Sequence, residues 1–331
     1  MDLLGKLMKN ENLLPAEAEA AMEGMASGAF TPVQTAGLLV ALSMKGETEE
    51  EIAAFAKVMR KHANAIKPKH GHLVDTCGTG GDSSHTFNVS TVAGIVAAGA
   101  GVAIAKHGNR SVSGVCGSAD LLLQLGVKMM EPPQVEKCIN EVGFGFMFAP
   151  YFHPAMKNVM PVRKELGVRT VFNILGPLSN PAGAHAQVLG VFDEKLLGKF
   201  ARVLSMLGTK HALVVNSGGI DEIGLGRTKI CELRGGKIEN YEINASDFGF
   251  IENKIPVVKS KEEAVEVALS VLAGKEGAAR DVAALNAAAA IYVGGKAESI
   301  KDGIALAEQS IDSGKAKDLL QKLRDFSNSS V

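Results

Sequence analysis

Over residues 1–68 the apolar positions recur with a helical period. Ile52, Phe55, Val58 and Met59 fall on one face of a 3.6-residue repeat rather than alternating as a strand would. Two helix starts are written into the same stretch. Thr31-Pro32-Val33-Gln34 and Thr48-Glu49-Glu50-Glu51 each place a capping hydroxyl three residues before Gln or Glu, and Pro32 takes the first helical position, where its missing N–H is no loss. These residues predict a small helical domain over 1–68.

The pattern changes after the polar, basic stretch 67–72. Short β-branched runs then alternate with Ala- and Leu-rich stretches, with strands expected at 73–76, 102–105, 145–148, 187–191, 212–215 and 228–233. The first five are separated by segments long enough for crossover helices, the pattern of a mostly parallel central sheet covered by helices. The fold class is therefore α/β: a small N-terminal helical domain plus a larger α/β domain over 73–331. Residues 150–180, with Pro150, Pro154, Pro161 and Pro177, break this rhythm, and part of 151–182 is expected to join the helical domain. From Lys261 onward the chain reads as helices. Residues 283–292 are apolar almost all round and are expected to be buried.

Composition narrows the function. The 331 residues carry 35 Lys plus Arg against 36 Asp plus Glu, a net charge of −1 with 46% hydrophobic residues. A disordered chain is excluded, and no basic field exists to hold a nucleic-acid backbone, so nucleic acid is not an expected partner. Cys77, Cys116, Cys138 and Cys231 lie far apart without zinc-ligand spacing and read as reduced thiols. The N-terminus has no signal-peptide pattern, and the longest apolar run, 92–105, is too short to span a bilayer. A cytoplasmic protein without a membrane partner is expected.

Three segments carry chemistry. After the first strand comes Cys77-Gly78-Thr79-Gly80-Gly81-Asp82, then Thr86-Phe87-Asn88-Val89-Ser90-Thr91 opening an apolar helix. Glycines let backbone amides approach an anion, and a helix start adds free N–H groups and a positive dipole end. On glycine count alone, the stretch also suits an ordinary strand-to-helix turn. It is no dinucleotide fingerprint, since Ser83 stands at the third glycine position. After the 102–105 strand, Lys106-His107-Gly108-Asn109-Arg110-Ser111-Val112-Ser113-Gly114 brings two cations, an imidazole, an amide and hydroxyls into one loop. Such a loop can be a solvated turn, but its apolar flanks favour a ligand site beyond the carboxyl end of a parallel sheet. Third, Asp221-Glu222 follows Ser217-Gly218-Gly219. Adjacent carboxylates serve either as solvent-facing surface or as hard ligands for Mg²⁺ bridging to phosphates.

In this order and spacing the three segments resemble the anthranilate phosphoribosyltransferases, members of the nucleoside phosphorylase and phosphoribosyltransferase superfamily. Gly117-Ser118-Ala119-Asp120, the stretch from Arg163-Lys164-Glu165 through Arg169-Thr170-Val171-Phe172-Asn173 to Gly176-Pro177-Leu178, Asp247-Phe248-Gly249 and Leu285-Asn286-Ala287 extend the resemblance over nearly the whole chain. The resemblance implies transfer of the phosphoribosyl group of 5-phosphoribosyl 1-pyrophosphate to the amine of anthranilate, in tryptophan biosynthesis, by a homodimer joined through its helical part. Carried over residue by residue, it implies that Gly78, Gly81, Asp82, Thr86, Asn88, Val89, Ser90, Thr91, Lys106, His107, Gly108, Asn109, Arg110, Ser111, Val112, Ser113, Gly114 and Ser118 hold phosphoribosyl pyrophosphate. Ser90, Asp221 and Glu222 would place Mg²⁺, and Gly78, Asn109 and Arg163 would orient anthranilate. Lys106, Asn109 and Arg163 would carry the catalysis. The chain departs from the family pattern at Ser83-Ser84-His85, where a glycine is expected, and at Gly226-Arg227. The nearest rival, a pyrimidine nucleoside phosphorylase, would show a Lys-His-Ser loop that this chain lacks. A non-catalytic nucleotide-binding paralogue is the other rival, and it would have no need of Asp221-Glu222, Asn109 and Arg163.

Overall fold

The computed structural model describes residues 2–80, 86–111 and 114–329. Four helices open the chain: α1 (Leu3–Met8), α2 (Pro15–Ser27), α3 (Pro32–Lys45) and α4 (Glu49–Lys61). Both expected capping boxes form. Gln34 N–H donates to Thr31 Oγ1 at 3.3 Å and Glu51 N–H to Thr48 Oγ1 at 3.2 Å, while the Gln34 and Glu51 side chains accept from Thr31 N at 2.9 Å and Thr48 N at 2.8 Å.

The remaining elements in order are β1 (Leu73–Gly78), α5 (Val89–Gly99), β2 (Ala103–Gly108), α6 (Ser118–Gln124), α7 (Pro132–Val142), β3 (Phe144–Phe148), α8 (Ala149–Phe152), α9 (Met160–Leu166), α10 (Phe172–Leu175), β4 (Ala186–Gly190), α11 (Leu196–Met206), β5 (His211–Asn216), β6 (Arg227–Arg234), β7 (Lys237–Asn244), α12 (Lys261–Leu272), α13 (Ala278–Val293), α14 (Ile300–Asp312) and α15 (Lys315–Ser329). The seven-stranded sheet has the order β3-β2-β1-β4-β5-β6-β7. Its first five members in that order run parallel, and β6 and β7 are added antiparallel. The chain leaves β1 toward β2 and β3, then returns to place β4 on the other side of β1. That reversal is a topological switch point, the place in open α/β sheets where ligands bind beyond the carboxyl ends of the strands.

Each face of the sheet has its own core. One holds α5 with the C-terminal helices, including α13, which is buried from Val282 to Val293. On the other face, α11 shares a core with the N-terminal helices and with Val159, Val162, Val171, Phe172, Leu175 and Leu178. The irregular stretch therefore packs on the helical bundle, where Asn158 Nδ2 donates to Ala26 O at 2.7 Å.

Two differences from the sequence reading have physical reasons. Strand β7 has no counterpart among the expected strands because its sequence, Lys-Ile-Glu-Asn-Tyr-Glu-Ile-Asn, is polar and mostly solvent-facing, as suits a sheet edge. Residues 106–108, read as loop, belong to β2, which pairs with β3 as far as Gly108 and Phe148. Their polar side chains conceal the strand because each finds a buried partner.

Candidate active site

The predicted segments converge at the carboxyl edge of the sheet, around the switch point. Strand β1 ends at Gly78, with Thr79 N–H donating to Gly190 O at 2.9 Å and Thr79 Oγ1 accepting from Phe192 N at 3.2 Å, so the glycine loop is seated on the end of β4. Across the crevice the turn after β5 is set by Gly218 and Gly219, both at positive φ, with Gly219 N–H donating to Asn216 Oδ1 at 3.2 Å. It presents Asp221 directly against Gly78 and Gly190. A Cβ at Gly78 would overlap the Asp221 carboxylate, and one at Gly190 would overlap its backbone carbonyl. Glycine is required at both strand ends because the acidic turn packs on bare backbone.

The two carboxylates rest on amides of the glycine loop and of the first turn of α5. Asp221 Oδ2 accepts from Gly80 N at 2.8 Å, and Glu222 Oε1 accepts from Ser90 N at 3.1 Å, in the first turn of α5. Negative charge already sits where the helix dipole and the glycine loop favour it.

Lys106 joins this cluster from β2. Its side chain is 1% exposed, and its ammonium donates to Thr76 O and to Ser90 Oγ, the latter at 3.2 Å. Burial lowers its pKa, against the attraction of Asp75, Cys77, Glu222 and Asp221. His107, the next residue along the strand, points to the opposite face. Its Nδ1 lies 3.0 Å from Gly176 O, and because a carbonyl only accepts, Nδ1 carries the proton and Nε2 keeps a lone pair. Nε2 has no hydrogen-bond partner among the described residues, and the His153 ring stands edge-on at 4.9 Å. Burial pushes the His107 pKa to about 3 and that of His153 to about 4, so both are neutral at physiological pH.

The other predicted residues are distributed around this centre. Asn88 caps α5 and donates from Nδ2 to Cys116 O at 2.8 Å, while its Oδ1 and the Thr91 hydroxyl are buried without partners among the described residues. Val89 is core, so any contact with an anion falls to its backbone. Thr86 pairs with Val257 in an isolated bridge. Asn109 and Arg110 are exposed, with the Arg110 guanidinium 5.9 Å from the Phe148 ring centre. Gly108 abuts Phe146 and Ser118, Ser111 Oγ accepts from Gly114 N at 2.6 Å, and Ser118 opens α6. Gly81, Asp82, Val112 and Ser113 lie outside the described residues.

Arg163 does not join the cluster around Lys106 and the Asp221-Glu222 turn. It lies half-buried on α9, with its guanidinium 5.4 Å from the centre of the Phe172 ring and no ion-pair partner among the described residues; burial lowers its pKa. Phe172 belongs to the segment that leads to Gly176, the partner of His107, which places Arg163 on the imidazole side of the sheet.

Three supporting residues escaped sequence reasoning. Asp75 and Asn180 meet beneath His107, and Asp120 Oδ2 accepts from Ser111 N at 3.2 Å and Gly117 N at 3.1 Å, holding these two backbone positions after β2 from behind. An acidic residue inside an apolar strand was the available signal for Asp75. For Asp120 it was the third position after Gly117 at a helix start.

A mostly parallel sheet with glycine-loop and helix-start amides at its switch point, an acidic pair facing them and a helical bundle alongside is an arrangement suited to a phosphorylated ligand. Two family descriptions match the two parts: a glycosyl transferase helical bundle domain over residues 1–63 and a glycosyl transferase a/b domain over residues 70–317. The chain belongs to the anthranilate phosphoribosyltransferase family. The anthranilate phosphoribosyltransferase of Polynucleobacter necessarius is 52% identical, covering 98% of this chain and 96% of its own length. The crystal structure of the Thermus thermophilus enzyme has 45% identity and a TM-score of 0.95, covering 99% of this chain and all (100%) of that one. The Saccharomyces cerevisiae enzyme, in complex with PRPP and Mg, has 28% identity and a TM-score of 0.89 over 98% of this chain and 97% of that one.

Proposed function

We propose that the cleft at the carboxyl edge of the sheet transfers the phosphoribosyl group of 5-phosphoribosyl 1-pyrophosphate to the amine of anthranilate, giving N-(5-phosphoribosyl)anthranilate and pyrophosphate. The observation that carries the reading is the convergence of the Gly80 and Ser90 amides, the buried Lys106 ammonium and the Asp221-Glu222 turn on one crevice. Displacement at C1 of the ribose leaves negative charge on the departing pyrophosphate. Preorganised donors at that position stabilise the transition state more than the ground state. Lys106 and the cradle amides serve as these donors.

Asp221, Glu222 and the Ser90 hydroxyl offer hard oxygens that would hold Mg²⁺, which would offset the charge of the pyrophosphate. The Gly80 and Ser90 amides that these carboxylates occupy would then be open to the substrate's phosphates. Arg163, a cation without an acidic partner among the described residues, suits the carboxylate of anthranilate, because its planar fork binds both oxygens. Asn109 and the Gly78 backbone complete the acceptor side. Positioning the weakly basic aromatic amine against C1 then supplies acceleration without prior deprotonation.

A second copy of the chain covers the apolar surface of the helical bundle. Met8 of α1 and Val33 and Met44 of α3 are 76%, 81% and 84% exposed, and Leu4 and Val40 lie on the same two helices. α1 and α3 are in contact, Leu4 lying close to Gly37, so these residues form one patch of the kind that marks an interface.

Loss of anthranilate fluorescence on mixing with phosphoribosyl pyrophosphate and Mg²⁺ tests the reading. Wild-type protein should consume anthranilate only when all are present. Arg163→Ala should raise the anthranilate KM about tenfold or more, with the other substrate's KM little changed. A parallel rise in both would remove Arg163 from the acceptor site.

A further inference from the structure

Strands β1 and β2 separate inside the sheet. They pair at Leu73–Ala103 and Val74–Ile104 and no further, whereas β1 stays paired with β4 as far as Gly78–Gly190 and β2 with β3 as far as Gly108–Phe148. The split lies in the half of the sheet that carries the site. Peptide groups that would have met across a ladder need other partners once buried.

Side chains supply them. Asp75 is fully buried at 0% exposure; its Oδ1 accepts from His107 N at 3.1 Å and its Oδ2 from Asn180 Nδ2 at 2.7 Å. The same Asn180 amide donates to Ala105 O at 2.9 Å, and Asn180 Oδ1 accepts from Ala182 N at 2.9 Å. On the other face of the sheet the Lys106 ammonium takes the carbonyl of Thr76. Every donor and acceptor of the Asp75–Asn180 pair is oriented by another group, so neither side chain can turn without orphaning a buried polar atom.

One carboxylate thus holds two segments with different duties. Through His107 N it fixes the end of β2, which carries Lys106 and leads into residues 109–111. Through Asn180 it fixes the carboxyl end of the 172–180 segment, which begins with Phe172 under the Arg163 guanidinium and whose Gly176 carbonyl sets the His107 tautomer. We propose that Asp75 and Asn180 are positioning residues for the transfer, replacing the missing β1–β2 ladder and setting the spacing between the pyrophosphate side and the acceptor side of the cleft. The proposal rests on the phosphoribosyl-transfer reading above.

Steady-state kinetics in both substrates, with thermal melting alongside, test it on the full chain. Wild type is measured first: absence of turnover would refute the transfer reading and this inference with it, while changes confined to the variants bear on the inference alone. Asn180→Ala keeps the Asp75–His107 bond and frees the acceptor-side segment. It should raise the anthranilate KM about tenfold while leaving the phosphoribosyl pyrophosphate KM within about twofold. Asp75→Asn sets an amide donor against the Asn180 donor, and should raise both KM values and lower kcat by about 10²-fold. Combining the two should be no worse in kcat/KM than Asp75→Asn alone, because they break one unit. A shift in melting temperature with both KM values and kcat unchanged in Asn180→Ala would overturn the proposal, as would an equal rise in both KM values in that variant. Should Asp75→Asn fail to fold, Asn180→Ala decides by itself.

Discussion

At the scale of single residues, the site depends on groups whose charge is fixed by burial. His107 and His153 titrate at about 3 and about 4 in the fold, against an ordinary value near 6.5 in the unfolded chain. As pH falls below about 6.5, the unfolded chain takes up two protons that the native protein refuses, so stability declines with acidification. Asp75 acts the other way: burial raises its pKa to about 6, so the native state binds one more proton than the unfolded chain between about pH 4 and 6. One histidine is offset over that window and the other is not. His153→Asn should therefore flatten the dependence of unfolding free energy on pH below 6.5 by up to about 1.4 kcal/mol per pH unit. Urea unfolding at several pH values checks this, and an unaltered slope would show that His153 is protonated in the fold.

Elements show which parts of this architecture the sequence makes legible. The helix starts at Thr31 and Thr48 were readable because a capping box is a local pattern. Glu51 does more than its local pattern shows. Besides closing its own box, it accepts from Leu13 N at 2.8 Å and from the Lys45 ammonium at 2.8 Å, with both side chains of the ion pair almost completely buried. Removing the charge from one partner leaves the other buried and unpaired, so Glu51→Gln should destabilise the helical bundle by about 3–5 kcal/mol. A thermal melt within about a degree of wild type would contradict that, since a few kcal/mol shifts a chain of this size by several degrees. Strand β7 left a weaker trace. Its alternation is polar on both faces, although the preceding Gly235-Gly236, both at positive φ, is a hairpin turn signal. The glycine loop and the Lys106 segment stood out in the sequence as a candidate site because glycines and charges contrast with apolar flanks, and the fold brings them together. The Asp75–Asn180 bridge was not, because its partners lie 105 residues apart and only the sheet brings them together.

For the whole molecule, near-neutral charge is compatible with the proposed site, where a few oriented amides and one buried ammonium would bind anions with no global field required. The exposed apolar face of α1 and α3 makes the assembly testable. A dimer should appear in sedimentation at micromolar concentration, and Val33→Glu with Met44→Glu should yield a folded monomer; a wild-type monomer would refute the interface. The claim on which all else rests is that the crevice between the glycine loop and the Asp221-Glu222 turn is where phosphoribosyl transfer occurs. Its most direct test is the Mg²⁺ dependence of anthranilate consumption with phosphoribosyl pyrophosphate, compared between wild type and the Asp221→Asn, Glu222→Gln double variant. Wild type should show Mg²⁺-dependent turnover, and the variant a rate lower by about 10²-fold or more that added Mg²⁺ does not restore. Equal rates and equal Mg²⁺ dependence in the two proteins would contradict that claim.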